Sequence, residues 1–280
     1  MKCINPKPNG IKRKNKQWEL VEINKTNQKD ALLQVKSLSK TYPGAGEGVK
    51  ALKNVSFNLY KGELLAIMGT SGSGKSTLLN ILGAMDQPSS GEVILDGQSS
   101  DSMFSEPQAT YYRRDNIGFI FQSFNLLKDL TVEENIALPL ILKGVNESQI
   151  NQKVSEIVEI VGLSKWKTHR PIQLSGGQQQ RVAIGRALIT SPPIVLADEL
   201  TGNLDFNTST DILNVLVSMK EKFNQSIIMV THDPYVATYA DRVFFFHDGQ
   251  IVDTYEETKG PKSMDEILKK FRRILVKPHD

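Results

Sequence analysis

The octapeptide Gly69-Thr70-Ser71-Gly72-Ser73-Gly74-Lys75-Ser76 follows the pattern G-x-x-x-x-G-K-[ST] of a phosphate-binding loop. An apolar run at 64–68 precedes the loop and a helical run at 77–82 follows it, so strand, loop and helix occur in the required order. Glycines let backbone N–H groups wrap a triphosphate, and the helix N-terminus adds positive potential. Lys75 would reach the β- and γ-phosphates, and Ser76 would bind Mg²⁺. A merely flexible turn is disfavoured, because a chance match with these flanks is rare.

Two acidic residues, Asp198 and Glu199, follow the apolar run at 194–197. They would emerge at the carboxyl end of a buried strand, where open α/β sheets bind ligands. Asp198 would hold Mg²⁺ through water, and Glu199 would polarise an attacking water molecule. Two acids after a strand are usually a solvated loop, so the phosphate-binding loop is what favours the catalytic interpretation.

The composition indicates a folded, water-soluble protein, since 39% of the 280 residues are hydrophobic and 23% are charged. The single cysteine, Cys3, excludes an internal disulfide and favours a reducing cytosol. No apolar run approaches the roughly 18 residues of a membrane-spanning helix, and residues 1–30 lack the apolar core of a signal peptide. The chain is therefore not expected to form a pore.

The net charge of +3 is concentrated at the N-terminus. Residues 1–30 carry eight Lys or Arg side chains against three acidic ones and read as a basic, poorly ordered extension. The remaining chain is slightly acidic, which argues against a nucleic-acid-binding surface.

Short apolar runs that alternate with helical segments predict strands buried on both faces of a largely parallel sheet. The runs lie at 32–35, 55–59, 64–68, 93–95, 117–121, 194–197, 227–230 and 243–246. The turn Lys61-Gly62 predicts a hairpin between the second and third runs, and Asp248-Gly249 predicts another after the last run.

Helix signals dominate residues 125–190. Thr131 and Glu134 have the spacing of a capping box, and an apolar stripe at 154–161 predicts an amphipathic helix. A final helix is predicted at 263–276, with apolar residues on one face and Lys or Arg on the other. It would lie on an anionic membrane surface, bind a partner or pack on its own domain.

The run Leu174-Ser175-Gly176-Gly177-Gln178, together with the loop and Asp198-Glu199, resembles the ATP-binding subunit of an ATP-binding-cassette (ABC) transporter. The resemblance covers residues 31–255, with a helical tail at 256–280. It implies an α/β fold: a P-loop NTPase core with a mixed, largely parallel sheet, an antiparallel β subdomain and an inserted helical subdomain at about 125–190. It also implies ATP and Mg²⁺ as cofactors.

The resemblance assigns roles to further residues. In the family, the segment 175–178 meets the γ-phosphate of ATP held by the opposite subunit, which implies a head-to-tail dimer with two interfacial ATP molecules. Tyr42 would stack on adenine, Gln122 would sense Mg²⁺ and γ-phosphate, and His232 would contact γ-phosphate. Asp205 lies in the loop that crosses the dimer interface. Taken singly, Tyr42, Gln122 and His232 would more often be structural or solvated.

The resulting site has three groups of residues. The catalytic set is Glu199, His232 and Gln122; the metal set is Ser76, Gln122 and Asp198; the nucleotide-binding set is Tyr42, Gly69, Ser71, Gly72, Ser73, Gly74, Lys75, Ser76, Thr77, Ser175, Gly176, Gly177, Gln178 and Asp205.

Residues 113–127, 134–140 and 202–205 resemble the group of macrolide exporters, lipoprotein-release systems and antimicrobial-peptide-resistance transporters. This implies a separate integral membrane permease, a place on the cytoplasmic face of the membrane, and export or extraction of a peptide, lipoprotein or antibiotic-like substrate. Leu200 departs from the family, which usually has proline after the catalytic acid.

Two other classes of function remain to be weighed. A soluble ABC-type ATPase acting on DNA or ribosomes would ordinarily show a coiled-coil insertion, a zinc motif or a second cassette, and none is visible. A binding module with an inactive site is disfavoured by the presence of Lys75, Asp198, Glu199 and His232.

Overall fold

The computed structural model describes residues 31–44, 46, 48–99, 101–202, 204–256 and 263–275. The predicted extension at 1–30 lies outside these residues, as do Asn203 and parts of the predicted tail. The strands are β1 (Ala31–Tyr42), β2 (Val49–Tyr60), β3 (Leu64–Gly69), β4 (Ser90–Leu95), β5 (Gln98–Ser99), β6 (Ile117–Ile120), β7 (Ile194–Asp198), β8 (Ser226–Thr231), β9 (Arg242–His247) and β10 (Gln250–Glu256). The α-helices are α1 (Lys75–Leu82), α2 (Gln108–Asn116), α3 (Val132–Leu142), α4 (Glu147–Ile160), α5 (Gly176–Leu188), α6 (Phe206–Phe223), α7 (Pro234–Ala237) and α8 (Met264–Leu275).

The central sheet has the strand order β10-β9-β3-β8-β7-β6. Strands β9, β3, β8, β7 and β6 are parallel, and β10 adds an antiparallel edge. Side chains alternate between two cores: Leu64 and Ala66 face a core with α3 to α8, whereas Leu65 faces one with α1, β1 and β2. Burial of both faces explains why these strands are almost wholly apolar in sequence. This is the predicted α/β architecture with a mixed sheet.

The Lys61-Gly62 turn does not form the predicted hairpin. It is a real turn, closed by a bond from Glu63 N to Tyr60 O at 3.2 Å, but β2 and β3 enter different sheets. Strand β2 pairs with β1 in a separate antiparallel sheet of order β2-β1-β4-β5, and β3 lies between β8 and β9. Because all six residues of β3 are buried, the strand fits the middle of a covered sheet. Tight-turn chemistry alone does not reveal whether the flanking strands pair. The Asp248-Gly249 hairpin is confirmed, with β9 and β10 antiparallel.

The helices predicted from the capping box at Thr131, from the stripe at 154–161 and near the C-terminus are present as α3, α4 and α8. Thr131 and Glu134 make the capping box of α3, and the apolar stripe of α4 is buried. Helix α2 was not predicted, because it buries only Ala109 and Tyr112 and has no sustained apolar period. Helix α8 packs on its own domain: Ile267 is fully buried in the core. None of the helices in the described residues has the length and apolar character needed to cross a membrane.

Candidate functional site

The parallel strands bring the predicted residues to one edge of the sheet. Strand β3 ends at Gly69, where the phosphate-binding loop starts, and its neighbour β8 ends one residue before His232. The next strand, β7, ends at Asp198, and β6 ends two residues before Gln122. Parallel strands have their carboxyl ends at the same edge, which is where open α/β sheets bind ligands.

The loop backbone lies against neighbouring backbone so closely that glycine is required. A Cβ on Gly69 would lie 2.2 Å from the carbonyl oxygen of Phe246, and one on Gly74 would lie 2.3 Å from that of Ala51. Gly74 also has φ of 103°, and Gly72 has φ of 76°, a region that favours glycine. The loop is therefore held in shape by β2 and β9.

The Asp248-Gly249 turn braces the loop from the side. The amide of Gly249 donates to the carbonyl oxygen of Ser73 at 2.9 Å, and the carbonyl oxygen of Gly249 accepts from the amide of Lys53 at 2.9 Å. A Cβ on Gly249 would lie 2.8 Å from Ala51 O. The turn thus joins the loop to β2.

Lys75 is a buried cation inside this loop. Its Nζ donates to Thr70 O at 2.6 Å and to Ser73 Oγ at 3.4 Å. Burial lowers the pKa of Lys75, and the nearby carboxylates of Glu199 and Asp198 act in the opposite direction. Helix α1 starts here with Gly74 as its N-cap, a residue with no side chain to accept from the first-turn amides. Loop, lysine and helix start together form a site for an anion.

The residues predicted to hold Mg²⁺ have suitable chemistry. Ser76 Oγ donates to Asp198 Oδ1 at 3.4 Å, so the hydroxyl and the carboxylate are neighbours. Burial raises the pKa of Asp198, while the bond from Ser76 opposes that shift. A hydroxyl, a carboxylate and the amide of Gln122 are oxygen donors of the kind that Mg²⁺ prefers, with phosphates and water as its other ligands. The donor set fits the ion.

Glu199 lies between two other residues of the predicted site. Gln122 Nε2 donates to Glu199 Oε2 at 3.1 Å, and His232 Nδ1 lies 3.0 Å from Glu199 Oε1. Glu199 has φ of 42°, a left-handed conformation that is uncommon for a non-glycine residue and clusters at functional sites. Its backbone is fixed by a bond from Glu199 N to Val230 O at 3.1 Å. A carboxylate positioned in this way is suited to accept a proton from water.

A cavity of about 270 Å³ opens beside this carboxylate. It is lined by Glu199, by His232, by residues that lead into α6 and by residues between the end of β8 and α7. Leu200, which stands where the family usually has proline, is buried in the core directly after Glu199. A bond from Gly202 N to Glu199 O at 2.9 Å closes the turn that precedes α6.

Tyr42 lies at the end of β1, and two residues that the sequence analysis did not single out hold it. Its hydroxyl donates to Asp86 Oδ2 at 2.7 Å, and Lys40 Nζ lies 4.8 Å from the centre of its ring. Burial raises the pKa of Tyr42, and the bond to Asp86 adds to this shift, while a hydrogen bond with the Thr77 side chain lowers it. Thr77 directly follows the phosphate-binding loop, so Tyr42 is next to that loop.

The segment 175–178 starts helix α5 elsewhere in the fold. Ser175 Oγ accepts from Gln178 N at 3.3 Å, and Gln178 Oε1 accepts from Ser175 N at 2.9 Å. A Cβ on Gly177 would lie 2.4 Å from Thr208 Cγ2, and one on Gly176 would have Leu204 and Phe124 as neighbours. These neighbours differ from Ala51 and Phe246 beside the loop. The two glycine-rich segments of one chain therefore pack against different neighbours.

Asp205 has a structural role in the described residues. It is the N-cap of α6, where its carboxylate accepts from Thr208 N at 3.1 Å and from Thr208 Oγ1 at 2.6 Å. Because Thr208 also contacts Gly177, this cap lies beside the start of α5.

Known proteins resemble this chain over most of its length. The sequence profile of the family described as ABC transporter matches residues 52–202. The uncharacterized ABC transporter ATP-binding protein MJ0796 of Methanocaldococcus jannaschii is 43% identical over 233 residues, which are 82% of this chain and 98% of that protein. The ABC transporter ATP-binding protein YxdL of Bacillus subtilis is 42% identical over 220 residues, covering 79% of this chain and 85% of YxdL.

Two further matches concern a longer relative and a solved structure. The macrolide export ATP-binding/permease protein MacB of Shigella flexneri is 42% identical over 236 residues, which are 84% of this chain and 35% of MacB. A structure described as the dimeric post-hydrolysis state of the ATP-binding cassette MJ0796 bound to ADP and Pi has a TM-score of 0.74 at 41% identity. That alignment covers 81% of this chain and 99% of the other.

We expect Gly69→Ala to lower the free energy of unfolding by about 1–3 kcal/mol, because the added methyl group must displace backbone at Phe246. Gly44→Ala is the matched control, since its Cβ would make an ordinary contact of 3.6 Å. Urea unfolding followed by circular dichroism measures both. Equal midpoints for the two variants would show that the loop has room for a side chain.

Proposed function

The chain belongs to the ABC transporter family, and from that premise we propose that it is the ATP-hydrolysing subunit that drives a separate integral membrane permease. The observation that carries the proposal is the placement of Glu199 between Gln122 and His232, at the same sheet edge as Lys75. A protein that only bound nucleotide would not need this carboxylate. The chain binds ATP and hydrolyses it to ADP and phosphate.

Nucleotide binding follows from the loop. Its amides and Lys75 hold the β- and γ-phosphates, and Ser71, Ser73 and Thr77 lie along the same segment. Ser76, Asp198 and Gln122 would hold Mg²⁺, which neutralises charge on the phosphates when it is bound. Tyr42, beside Thr77, offers its ring to the base.

Hydrolysis follows from Glu199. Its carboxylate takes a proton from a water molecule whose oxygen attacks the γ-phosphorus, and the bond from that phosphorus to the bridging oxygen breaks. ADP and inorganic phosphate then leave. His232 and Gln122, each bonded to one carboxylate oxygen, orient Glu199 for this step.

A second copy of the chain completes the site in this proposal. Two solved structures of the related cassette MJ0796 are dimeric, and in this chain the segment 175–178 packs against neighbours that differ from those of the phosphate-binding loop. The start of α5 is a second helix N-terminus that favours a phosphate. In the dimer, Ser175, Gly176, Gly177 and Gln178 of one copy would face the nucleotide held by the other, with the Asp205 loop at the interface. Two ATP molecules would then be enclosed.

The permease would dock on the helical region at 125–145. Ile141 and Leu142 are adjacent, large and apolar, and they are 53% and 72% exposed at the end of α3. Adjacent exposed apolar side chains are typical of an interaction surface.

The name of the relative MacB combines ATP-binding and permease functions. The chain would thus lie on the cytoplasmic face of the membrane and power export or extraction of a peptide, lipoprotein or antibiotic-like substrate. We propose that residues 31–255 form the cassette and that about 125–190 form its helical subdomain.

Glu199→Gln should lower the turnover of ATP by roughly 10²–10⁴-fold, because the amide cannot accept the proton. ATP should still bind, and ATP-dependent dimers should accumulate in size-exclusion chromatography. Glu159→Gln, an exposed carboxylate on α4, is the control. Rapid hydrolysis by Glu199→Gln would contradict the role given to this carboxylate.

Mixing two inactive variants tests whether the site is shared. Lys75→Ala disables the loop, and Ser175→Asp keeps an N-cap but places a negative charge against the γ-phosphate. In an equimolar mixture, random pairing leaves about a quarter of the sites intact if each site uses one segment from each copy. Phosphate release near that fraction of the wild-type rate is expected. Without any recovery, the two segments must act within one chain.

Leu142→Glu should reduce the amount of integral membrane protein that co-purifies with this chain from detergent-solubilised host membranes, because it puts a charge into the docking surface. ATP hydrolysis by the isolated subunit should be unchanged. Val252→Glu, a similar change at an exposed residue of β10, is the control. If nucleic acid or ribosomes are recovered instead, the transport function is wrong.

A further inference from the structure

Lys40 is a buried lysine that lies against the predicted base-stacking ring. It is 8% exposed, and lysine is almost never so buried without partners. Its Nζ donates to Asp86 Oδ1 and to Gln87 O, each at 2.6 Å. The same ammonium group lies 4.8 Å from the centre of the Tyr42 ring, within the range of a cation–π contact. One cation therefore binds a carboxylate and covers one ring face.

The carboxylate of Asp86 is shared between the cation and the ring. Its Oδ1 accepts from Lys40 and its Oδ2 accepts from the Tyr42 hydroxyl at 2.7 Å. Burial would raise the pKa of Asp86, but the bonds from Lys40 and Tyr42 hold it below its usual value. Lys40 and Tyr42 are two residues apart on β1, so their side chains can reach the same partner. The ring is fixed both at its hydroxyl and on one face.

Asp86 also connects this cluster to the phosphate-binding helix. The amides of Met85 and Asp86 donate to Asn80 O at 2.8 Å and 3.3 Å, in the last turn of α1. Helix α1 starts at Lys75 inside the loop. The pair Lys40–Asp86 thus ties the strand that carries Tyr42 to the helix that carries the phosphate site. A nucleotide that contacts both ring and loop needs this spacing to be fixed.

We propose that Lys40 and Asp86 are positioning residues that hold Tyr42 as a preset stacking surface for the base, with Lys40 on one ring face and the base on the other. The inference rests on the proposed function, since it acts through the contact of Tyr42 with ATP. A side chain that is already ordered loses less freedom when ligand binds, so the pair raises the affinity for ATP. The bonds described for Lys40 and Asp86 go to Gln87, to Tyr42 and to the end of α1, so we expect the rate of the chemical step to be unaffected.

The first test separates binding from turnover. We expect Tyr42→Ala to raise the KM for ATP by roughly tenfold or more. We expect Lys40→Met to raise KM by roughly two- to tenfold with kcat unchanged. The double variant should have the KM of Tyr42→Ala alone, because Lys40 acts through the ring. Lys36→Met, an exposed lysine on the same strand, is the control. Multiplicative effects in the double variant would overturn the inference.

The second test uses inorganic tripolyphosphate, a competitor that has no base. Lys40→Met should weaken binding of a fluorescent ATP analogue while the inhibition constant of tripolyphosphate stays unchanged. An equal loss for both ligands would mean that Lys40 supports the loop, which overturns the positioning role. Tyr42→Phe keeps the ring but removes the hydroxyl that bonds to Asp86 and to the Thr77 side chain. It should weaken the analogue by roughly twofold, which provides a readout if Lys40→Met fails to fold.

The outcomes also separate the inference from the proposed function. If Tyr42→Ala raises KM and neither Lys40→Met nor Tyr42→Phe does, only the positioning role is overturned. If Tyr42→Ala leaves KM unchanged, the stacking role of Tyr42 is wrong and the inference with it. The turnover of Glu199→Gln is independent of both and tests the hydrolytic function separately.

Discussion

The parallel pairing of β3, β8, β7 and β6 is the constraint from which the whole site follows. Residues far apart in sequence, such as Lys75, Glu199 and His232, meet because each follows a strand whose carboxyl end lies at the same edge. Parallel sheets of this kind are covered on both faces, so no residue within the strands has to face water. The chemistry is therefore placed on loops, and a rigid apolar layer positions them.

Burial at this edge acts on charges of both signs. It lowers the pKa of the Lys75 ammonium and raises the pKa of the Asp198 carboxyl. The positive charge of Lys75 and the negative charge of Asp198 partly offset each other. A triphosphate would bring negative charge to Lys75, and its metal ion would bring positive charge to Asp198. A site that is electrostatically arranged before its ligand binds reorganises little during reaction.

Elements that have a strong local signature were predictable from the sequence, whereas contacts that depend on tertiary placement were not. The phosphate-binding loop, the strand before Asp198 and the capping box at Thr131 depend on neighbouring residues, and the structure contains all three. The hairpin predicted at Lys61-Gly62 was wrong because the strands on either side of the turn pair with other strands, in two different sheets. The contact of Lys40 with Asp86 joins a strand to the end of a helix, and no periodicity reports such a contact.

The Asp248-Gly249 turn has a consequence for how this chain tolerates change. Hairpin turns at a surface are ordinarily places where homologous proteins gain or lose residues without harm. Here both backbone groups of Gly249 are bonded, one to Ser73 and one to Lys53. A single extra residue would break those two bonds, and the phosphate-binding loop would lose the support that they provide. We therefore expect peptide tags or fusion sites introduced at this corner to impair nucleotide retention although the corner lies outside the strands.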